Sequence, residues 1–260
     1  MLAPNGSFGE YAIGEAHTTF HVPDEVSFEE AATFPLAYAT AALLWQRQPE
    51  LPTPWMKQYK SETPLLVWSA GSAVGCFPIK LAKLANIRPV IAVCNHHEYV
   101  STLLDKSTDA VFTYEQAEKG EIAKFLNGRK LEHGFDTMSE KGSTPATAKV
   151  MNATNPSKTP QISTLLPVKG DDVPDNADVR TIWVGSVHAG EQKSFKPSVD
   201  QDYSGDMEFG QLIFALLGYW LDTKKIAAHP HEVVGGLDAV AQGLQRVKDG
   251  KHLGKKMVFR

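Results

Sequence analysis

From residue 64 onward the chain alternates short unbroken apolar runs with segments of helical spacing, and this alternation constrains the fold more than any other feature. "PLLVWSA" (64–70) leads into a helix beginning near Val74, and "RPVIAVC" (88–94) leads into "HEYVSTLLDK". "DAVFTY" (109–114) is followed by "EKGEIAKFLNG", a helix with Gly128 as its stop. "HGFDTM" (133–138) and "ATAKVMNA" (146–153) repeat the pattern, and "QISTLLPV" (161–168) and "VRTIWVGSV" (179–187) close it. A strand apolar along its whole length must be covered on both faces. Such strands interleaved with helices predict an α/β fold with a doubly wound parallel sheet.

The flanks follow other rules. Residues 1–34 hold "GSFGEYAI" and "TTFHVP", short alternating segments that predict strands, then "DEVSFEEAATF", an acidic helix start. "PELPTPWMK" (49–57) is too proline-rich for a central element and predicts a loop. "GDDVPDNADV" (170–179) and "HAGEQKSFKPSVDQDYSGD" (188–206) are polar and irregular. "FGQLIFALLGYWLDTKKI" (209–226) predicts a helix apolar on more than one side, hence buried or at an interface, and "GKKMVFR" predicts a last strand.

Composition narrows the function classes. A net charge of −4 offers no footprint for nucleic acid or an anionic membrane surface. Two cysteines, Cys76 and Cys94, are too few for a disulfide framework or a cysteine-rich zinc site. "MLAPNGSFGEYAIG" lacks the basic start and apolar run of a signal peptide, and no segment approaches the roughly 18 consecutive apolar residues of a membrane helix. A cytoplasmic protein is expected.

The stretch "LLVWSAGSAVGCFPIKLAKLAN" (65–86) carries the chemistry. A small-residue turn between a buried strand and a helix lets backbone N–H groups approach a pyrophosphate at the positive helix end. Here the spacing is Gly71-x-x-x-Gly75, with Ser69 and Ala70 where a full G-x-G-x-x-G would begin. The same glycines would also serve a tight turn that only packs helix on strand, and spacing alone does not separate the two. The next strand ends in Asn95-His96-His97. An Asp or Glu there, about 20 residues past the glycines, would bind the ribose 2′-OH of NAD. Without that carboxylate a 2′-phosphate is admissible, while a solvated helix start is the bland alternative. No ligand spacing supports a metal site on these histidines.

"GSFGEYAI", "VPDEVSFEEAATFPLAYATAALLW", "LLVWSAGSAVGCFPIKLAKL" and "HPHEVVGGLDAVAQGLQRVKDGKHLGKKMVFR", in that order, resemble the medium-chain dehydrogenase/reductase superfamily. The closer likeness is to its zinc-free quinone-reductase branch, in particular fungal enoyl reductases that act in trans with polyketide synthases. The resemblance implies a Rossmann nucleotide-binding domain at 35–189. It also implies a partial, mostly β GroES-like domain built from both chain ends, 1–34 and 190–260. By the same likeness, NADPH is the cofactor. Gly71, Ser72, Ala73, Val74 and Gly75 match the pyrophosphate turn. Asn95, His96, His97 and Glu98 match the segment that contacts the adenosine 2′-phosphate, and Tyr114 matches a tyrosine packed beside it. Leu165 and Leu166 match the strand end by the nicotinamide ribose, and Leu253 and Gly254 a C-terminal loop that returns to the cofactor. Pro35 to Ala42 and Val184 to Val187 match stretches lining the substrate end. Pro35, Tyr38, Thr40, Val184, Gly185 and Ser186 are the candidates there.

The likeness starts at the last third of the family's GroES-like domain, so part of the substrate half is expected to be lacking. The implied reaction is hydride transfer to an α,β-unsaturated carbonyl of a small molecule, carried by a polyketide synthase. Thr40, Tyr38 and Ser186 are candidate proton donors by placement only, and the catalytic residue stays unassigned. Two alternatives are a cyclase-type pocket catalyst that has lost hydride transfer and a non-catalytic partner in a biosynthetic pathway. Unpaired strand edges in the partial domain predict a homo-oligomer.

Overall fold

The structure, a computed structural model, describes residues 7–56, 62–168, 175–189 and 203–260. A 3-10 turn at Ala16–Thr18 precedes helix α1 (Phe28–Ala31). Ser27 starts α1 with a reciprocal cap: its hydroxyl accepts from the Glu30 N–H, and the Glu30 carboxylate accepts from the Ser27 N–H at 3.0 Å. Helix α2 (Pro35–Gln46) opens on proline, whose fixed φ suits a first helical position, and is buried from Ala37 to Trp45.

The alternating region then lays down its elements in turn. They are β1 (Leu65–Trp68), α3 (Ala73–Leu84), β2 (Val90–Val93), α4 (Glu98–Leu103) and β3 (Ala110–Phe112). Next come α5 (Tyr114–Glu118), α6 (Glu121–Leu126), β4 (His133–Asp136), α7 (Ser143–Thr154), β5 (Gln161–Thr164) and β6 (Asp178–Thr181). The six strands form one parallel sheet in the order β3-β2-β1-β4-β5-β6. That order is the dinucleotide-binding one, with the reversal of winding between β1 and β4. Register pairs Trp68 with Val93 on one side and with Asp136 on the other. Every residue of β1, β2 and β4 is buried, as the unbroken apolar runs require. Leu66, Ile91, Val93, Ile122, Leu126 and Ile162 share one core, each worth about 1.5–3 kcal/mol of buried apolar surface.

The chain ends with α8 (Ser186–Ala189), α9 (Asp206–Asp222), β7 (His231–Gly235), α10 (Val240–Lys248) and β8 (Lys256–Phe259). Strands β7 and β8 pair in parallel. The described residues fall into two compact units. One comprises 7–39, 185–189 and 203–260; the other comprises 40–56, 62–168 and 175–184. The divisions lie inside α2, after Ala39, and after Val184, where the sequence places them at 34/35 and 189/190. Inside the first unit, Tyr38 of α2 packs edge-on against Phe214 and Trp220 of α9, which explains why the start of α2 belongs there.

Some local expectations change. No strand forms in residues 7–34; a short alternating segment without a hydrogen-bonded neighbour stays irregular. In that unit the described strands are β7 and β8, and the remaining regular elements are helical. The helix expected over 118–128 is instead two, α5 and α6, broken at Gly120 with φ +79°. Asn127, rather than Gly128 alone, takes the left-handed position that ends α6. Helix α9 is apolar on more than one side: Ile213, Phe214, Leu217 and Trp220 are buried while Leu212 and Tyr219 are exposed. Positions 1–6 and 190–202, with the loop readings that fall there, lie outside the described residues.

Candidate functional site

At the C-terminal end of β1 the chain turns sharply. Ser69 adopts φ +62°, a conformation that costs a residue with a side chain about 1–2 kcal/mol, so its neighbours must hold it. Four contacts do. The Thr137 hydroxyl donates to the carbonyls of Trp68 (2.8 Å) and Ser69 (3.2 Å). Tyr114 O–H donates to Ser69 Oγ at 3.2 Å, and its ring packs 5.4 Å from that of Trp68. Ala70 N–H reaches across to the Val93 carbonyl at 3.0 Å. Burial pushes the Tyr114 hydroxyl above its ordinary value, and the Ser69 bond pulls the other way.

Helix α3 starts directly after this turn. Ser72 is its cap: extended backbone, with Oγ accepting from Gly75 N–H at 2.9 Å. The Ser72 carbonyl accepts from Cys76 N–H, and the Ser69 carbonyl accepts from Ser72 N–H. Among the described residues no acceptor takes the N–H groups of Ala73 or Val74. Two free amides thus stand at the positive end of a 12-residue helix, beside a hydroxyl whose proton is not committed to Gly75. An anionic diphosphate fits that donor set.

The two glycines have separate roles. A Cβ on Gly75 would stand 2.5 Å from the Ser69 carbonyl oxygen and 2.7 Å from Ala70 Cα, so this glycine lets helix and turn touch. A Cβ on Gly71 would stand 3.1 Å from the His96 carbonyl oxygen and 3.4 Å from Cys94 Cβ. Gly71 therefore lies against the loop after β2. That loop exposes Asn95, His96, His97 and Glu98, with Glu98 in the first turn of α4. The ends of β1, β2 and β3 thus bring together residues 71–75, 95–98 and Tyr114.

At the end of β4 the fully buried Asp136 holds a second turn. Its carboxylate accepts from the N–H groups of Met138 and Ser139, both at 3.0 Å, and from the hydroxyls of Ser143 (2.6 Å) and Thr144 (2.7 Å). Ser139, itself at φ +56°, accepts the Leu165 N–H at 2.8 Å. Leu165 is half-buried beyond β5, and Leu166 is exposed. Thr40 is buried and Val184 half-buried in this unit.

The remaining candidates belong to the other unit. Pro35 is exposed. Tyr38 is wholly buried, donates to the Ile213 carbonyl at 2.8 Å, and burial raises its hydroxyl far above the ordinary tyrosine value. Ser186 is buried and donates to Asp206 at 2.5 Å; Gly185 before it is half-buried. Leu253 (φ +48°) is exposed, and the carbonyl of Gly254 (φ +74°) lies 2.6 Å from His229 Nε2.

Comparison with known proteins identifies the lineage. A trans-enoyl reductase of Alternaria alternata (ACTTS2) is 32% identical over 258 residues, covering 98% of this chain and 71% of that protein. The chain belongs to the fungal trans-enoyl reductase family of the medium-chain dehydrogenase/reductases. A second trans-enoyl reductase, fsr4 of Gibberella fujikuroi, is 32% identical over 240 residues, covering 90% of this chain and 65% of the relative. The enoyl reductase component of the lovastatin nonaketide synthase of Aspergillus terreus is 23% identical over 266 residues, covering 98% of this chain and 70% of its own. The chain thus spans roughly two thirds of the length of these trans-enoyl reductases. No protein-family model matches it. Among solved structures, the CurK enoyl reductase superposes with a TM-score of 0.65 at 16% identity, over 91% of this chain and 65% of that one. The Thermus thermophilus quinone oxidoreductase, solved also with NADPH, gives 0.58 at 17%, over 88% and 64%. Both share the fold.

In this trans-enoyl reductase chain no group of three or more metal-ligating side chains stands together among the described residues, and no described helix is long and apolar enough to cross a membrane. Sequence reasoning overlooked Thr137 and Asp136, which hold the two turns. A carboxylate ending a continuous apolar run, followed by Thr137, Ser139, Ser143 and Thr144, was the available signal, since a buried charge needs donors.

Proposed function

We propose that this chain is an NADPH-dependent enoyl reductase that acts in trans with a polyketide synthase in the cytoplasm. The observation that carries the reading is the pair of free amides at Ala73 and Val74, at the switch point of the sheet, in a chain related over 98% of its length to a trans-enoyl reductase. When bound, the dihydronicotinamide supplies hydride to the β-carbon of an α,β-unsaturated carbonyl, and a proton goes to the α-carbon. The protein's share is to hold and to orient. Ala73 N–H, Val74 N–H and the Ser72 hydroxyl bind the diphosphate. Asn95, His96 and His97 offer hydrogen-bond donors, with no carboxylate before Glu98 to repel a 2′-phosphate, and this favours NADPH over NADH. Leu165 and Leu166 line the ribose. Thr40 and Val184 belong to the substrate end. The hydroxyls of Tyr38 and Ser186 already donate to buried acceptors.

Titrating the protein with NADPH and NADH, then following NADPH consumption with enoyl thioesters and enones, tests the reading. NADPH binding at least tenfold tighter than NADH, with turnover of an enoyl thioester, is expected. Equal or tighter NADH binding refutes the cofactor choice. NADPH binding without consumption of any unsaturated carbonyl refutes the reductase assignment and favours a pocket catalyst or silent partner.

A further inference from the structure

We propose that Ser139 is a positioning residue: its hydroxyl is inserted as an extra rung between the ends of β4 and β5 and holds Leu165 in place for the nicotinamide half of the cofactor. The rung rests on hydrogen bonds within the six-stranded sheet and its turns. Its consequence rests on the NADPH reading above.

Where β4 and β5 meet, the Gln161 N–H donates to the Glu132 carbonyl at 2.9 Å, and Asp136 lies opposite Thr164. Alternate residues of a parallel strand face the same neighbour, so this register, carried past the end of β5, would send the Leu165 N–H to the Asp136 carbonyl. It goes elsewhere. The Leu165 N–H donates to Ser139 Oγ at 2.8 Å, and that hydroxyl gives its own proton to the Asp136 carbonyl at 3.0 Å. One hydroxyl thus accepts and donates where a backbone pair would have closed the ladder. Two bonds in place of one keep the ends of β4 and β5 apart. Ser139 also lines a cavity of about 160 Å³, which lies between the β4–α7 turn and Pro167 and Val168.

The neighbours of Ser139 keep the rung from shifting. Its N–H donates to the buried Asp136 carboxylate at 3.0 Å, which also takes the Met138 N–H and the hydroxyls of Ser143 and Thr144. Thr137, beside Asp136 in the chain, donates to the carbonyls of Trp68 and Ser69 on the phosphate turn. The end of β4 is therefore anchored on its other side and cannot slide over to meet Leu165. At φ +56° a serine is more strained than a glycine would be, and what serine supplies there is the hydroxyl. Position gives the rung its use. With the diphosphate at the end of β1 and the 2′-phosphate beside β2, the rest of a dinucleotide falls across the switch point, at the ends of β4 and β5.

Ser139→Ala removes the hydroxyl and keeps the strain, whereas Ser139→Gly removes both, so a loss shared by the two belongs to the hydroxyl. Each variant is checked for folding by circular dichroism and thermal unfolding. Amide hydrogen exchange at Leu165, without any dinucleotide, reads the rung directly, and it is expected to be at least about tenfold faster in both variants than in the parent. Calorimetric titration with NADPH and with 2′-phospho-ADP-ribose, which lacks only the nicotinamide, reads the consequence. NADPH affinity is expected to fall about fivefold to tenfold in both variants, while affinity for 2′-phospho-ADP-ribose stays within about twofold of the parent. A role confined to folding would weaken both ligands alike, and that result overturns the proposal. Unchanged exchange at Leu165 overturns the rung, and faster exchange with unchanged NADPH affinity overturns the positioning role. A parent that binds neither ligand refutes the NADPH reading and the positioning role with it, and the exchange rates then decide the rung alone.

Discussion

Replacing Gly75 by alanine tests how tightly helix α3 is seated on the phosphate turn. The added Cβ would lie 2.5 Å from the Ser69 carbonyl oxygen, 2.7 Å from Ala70 Cα and 2.9 Å from the Ala70 carbonyl carbon. All three are backbone atoms. They cannot swing aside, because Thr137, Tyr114 and the Val93 carbonyl hold that turn. Helix and turn must separate instead, an overpacking strain of about 1–3 kcal/mol. Separation also stretches the 2.9 Å cap between Gly75 N–H and Ser72 Oγ, worth about 1 kcal/mol. The better helix propensity of alanine returns about 1 kcal/mol. A net loss of about 1–3 kcal/mol follows, with the Ala73 and Val74 amides displaced and NADPH affinity down at least tenfold, about 1.4 kcal/mol. Gly71→Ala is the control. Its single tight contact, 3.1 Å to the His96 oxygen, involves an exposed loop that can yield a few tenths of an ångström, so its effects are smaller on both counts. Urea unfolding gives the stabilities, and fluorescence titration gives the affinities. A Gly75→Ala protein that matches the parent in both, or a Gly71→Ala protein that is worse in both, would refute the reasoning.

Asp136→Ala leaves two hydroxyls and two N–H groups without their charged acceptor and is expected to cost about 3 kcal/mol or more, measured by chemical denaturation; a loss below about 1 kcal/mol would contradict it. Gln48→Leu strips the Gly134 and Gln161 carbonyls of a donor and His133 Nδ1 of its partner at 2.8 Å. The expected loss is about 2–4 kcal/mol by the same measurement, and a neutral result would show that the network carries no stability. Lys80, buried over the rings of Phe77 and Tyr99, is pushed down by that burial to about 8 from an unfolded value of about 10.4. Between those values the unfolded chain holds more protons, so stability rises with pH from about 8 to about 10.4. Lys80→Met is expected to abolish that rise and to be the more stable protein at pH 7; an unchanged pH profile would refute it.

The sheet was legible because burial on both faces leaves a one-dimensional trace. "LLVW" and "VIAV" can be central strands and little else, and they are β1 and β2, buried at every position. What escaped depends on pairs far apart in the chain. Gln48 is a polar residue just before the proline-rich loop, yet it is buried with its amide on the Gly134 carbonyl and on Ser163 Oγ, partners 86 and 115 residues away. Tyr38 and Ser186 suit a reactive pocket by residue type, and only the Ile213 carbonyl and the Asp206 carboxylate reveal that both hydroxyls are committed. The glycine pattern marked one turn without separating its parts. Gly71 and Gly75 are both small because backbone approaches them, but from different directions, and direction has no counterpart in spacing.

The turn itself is stiff through hydrogen-bond saturation more than through glycine. The Ser69 carbonyl takes the Ser72 N–H and the Thr137 hydroxyl, and Ser69 Oγ takes Tyr114. Ala70 gives its N–H to Val93 and its carbonyl to the Cys76 thiol. Ser72 spends its carbonyl on Cys76 N–H and its oxygen lone pair on Gly75. After those pairings the donors left over include Ala73 N–H, Val74 N–H and the Ser72 hydroxyl proton. All three residues are half-buried, so water reaches the donors but cannot rearrange what holds them. A group that replaces that water meets donors already aimed, and the ordering that a flexible loop would undergo on binding has been completed in folding. A saturated turn with a few aimed donors is therefore suited to hold an anion. The αL strain at Ser69 and the burial of Tyr114 are what the fold gives up to keep it so.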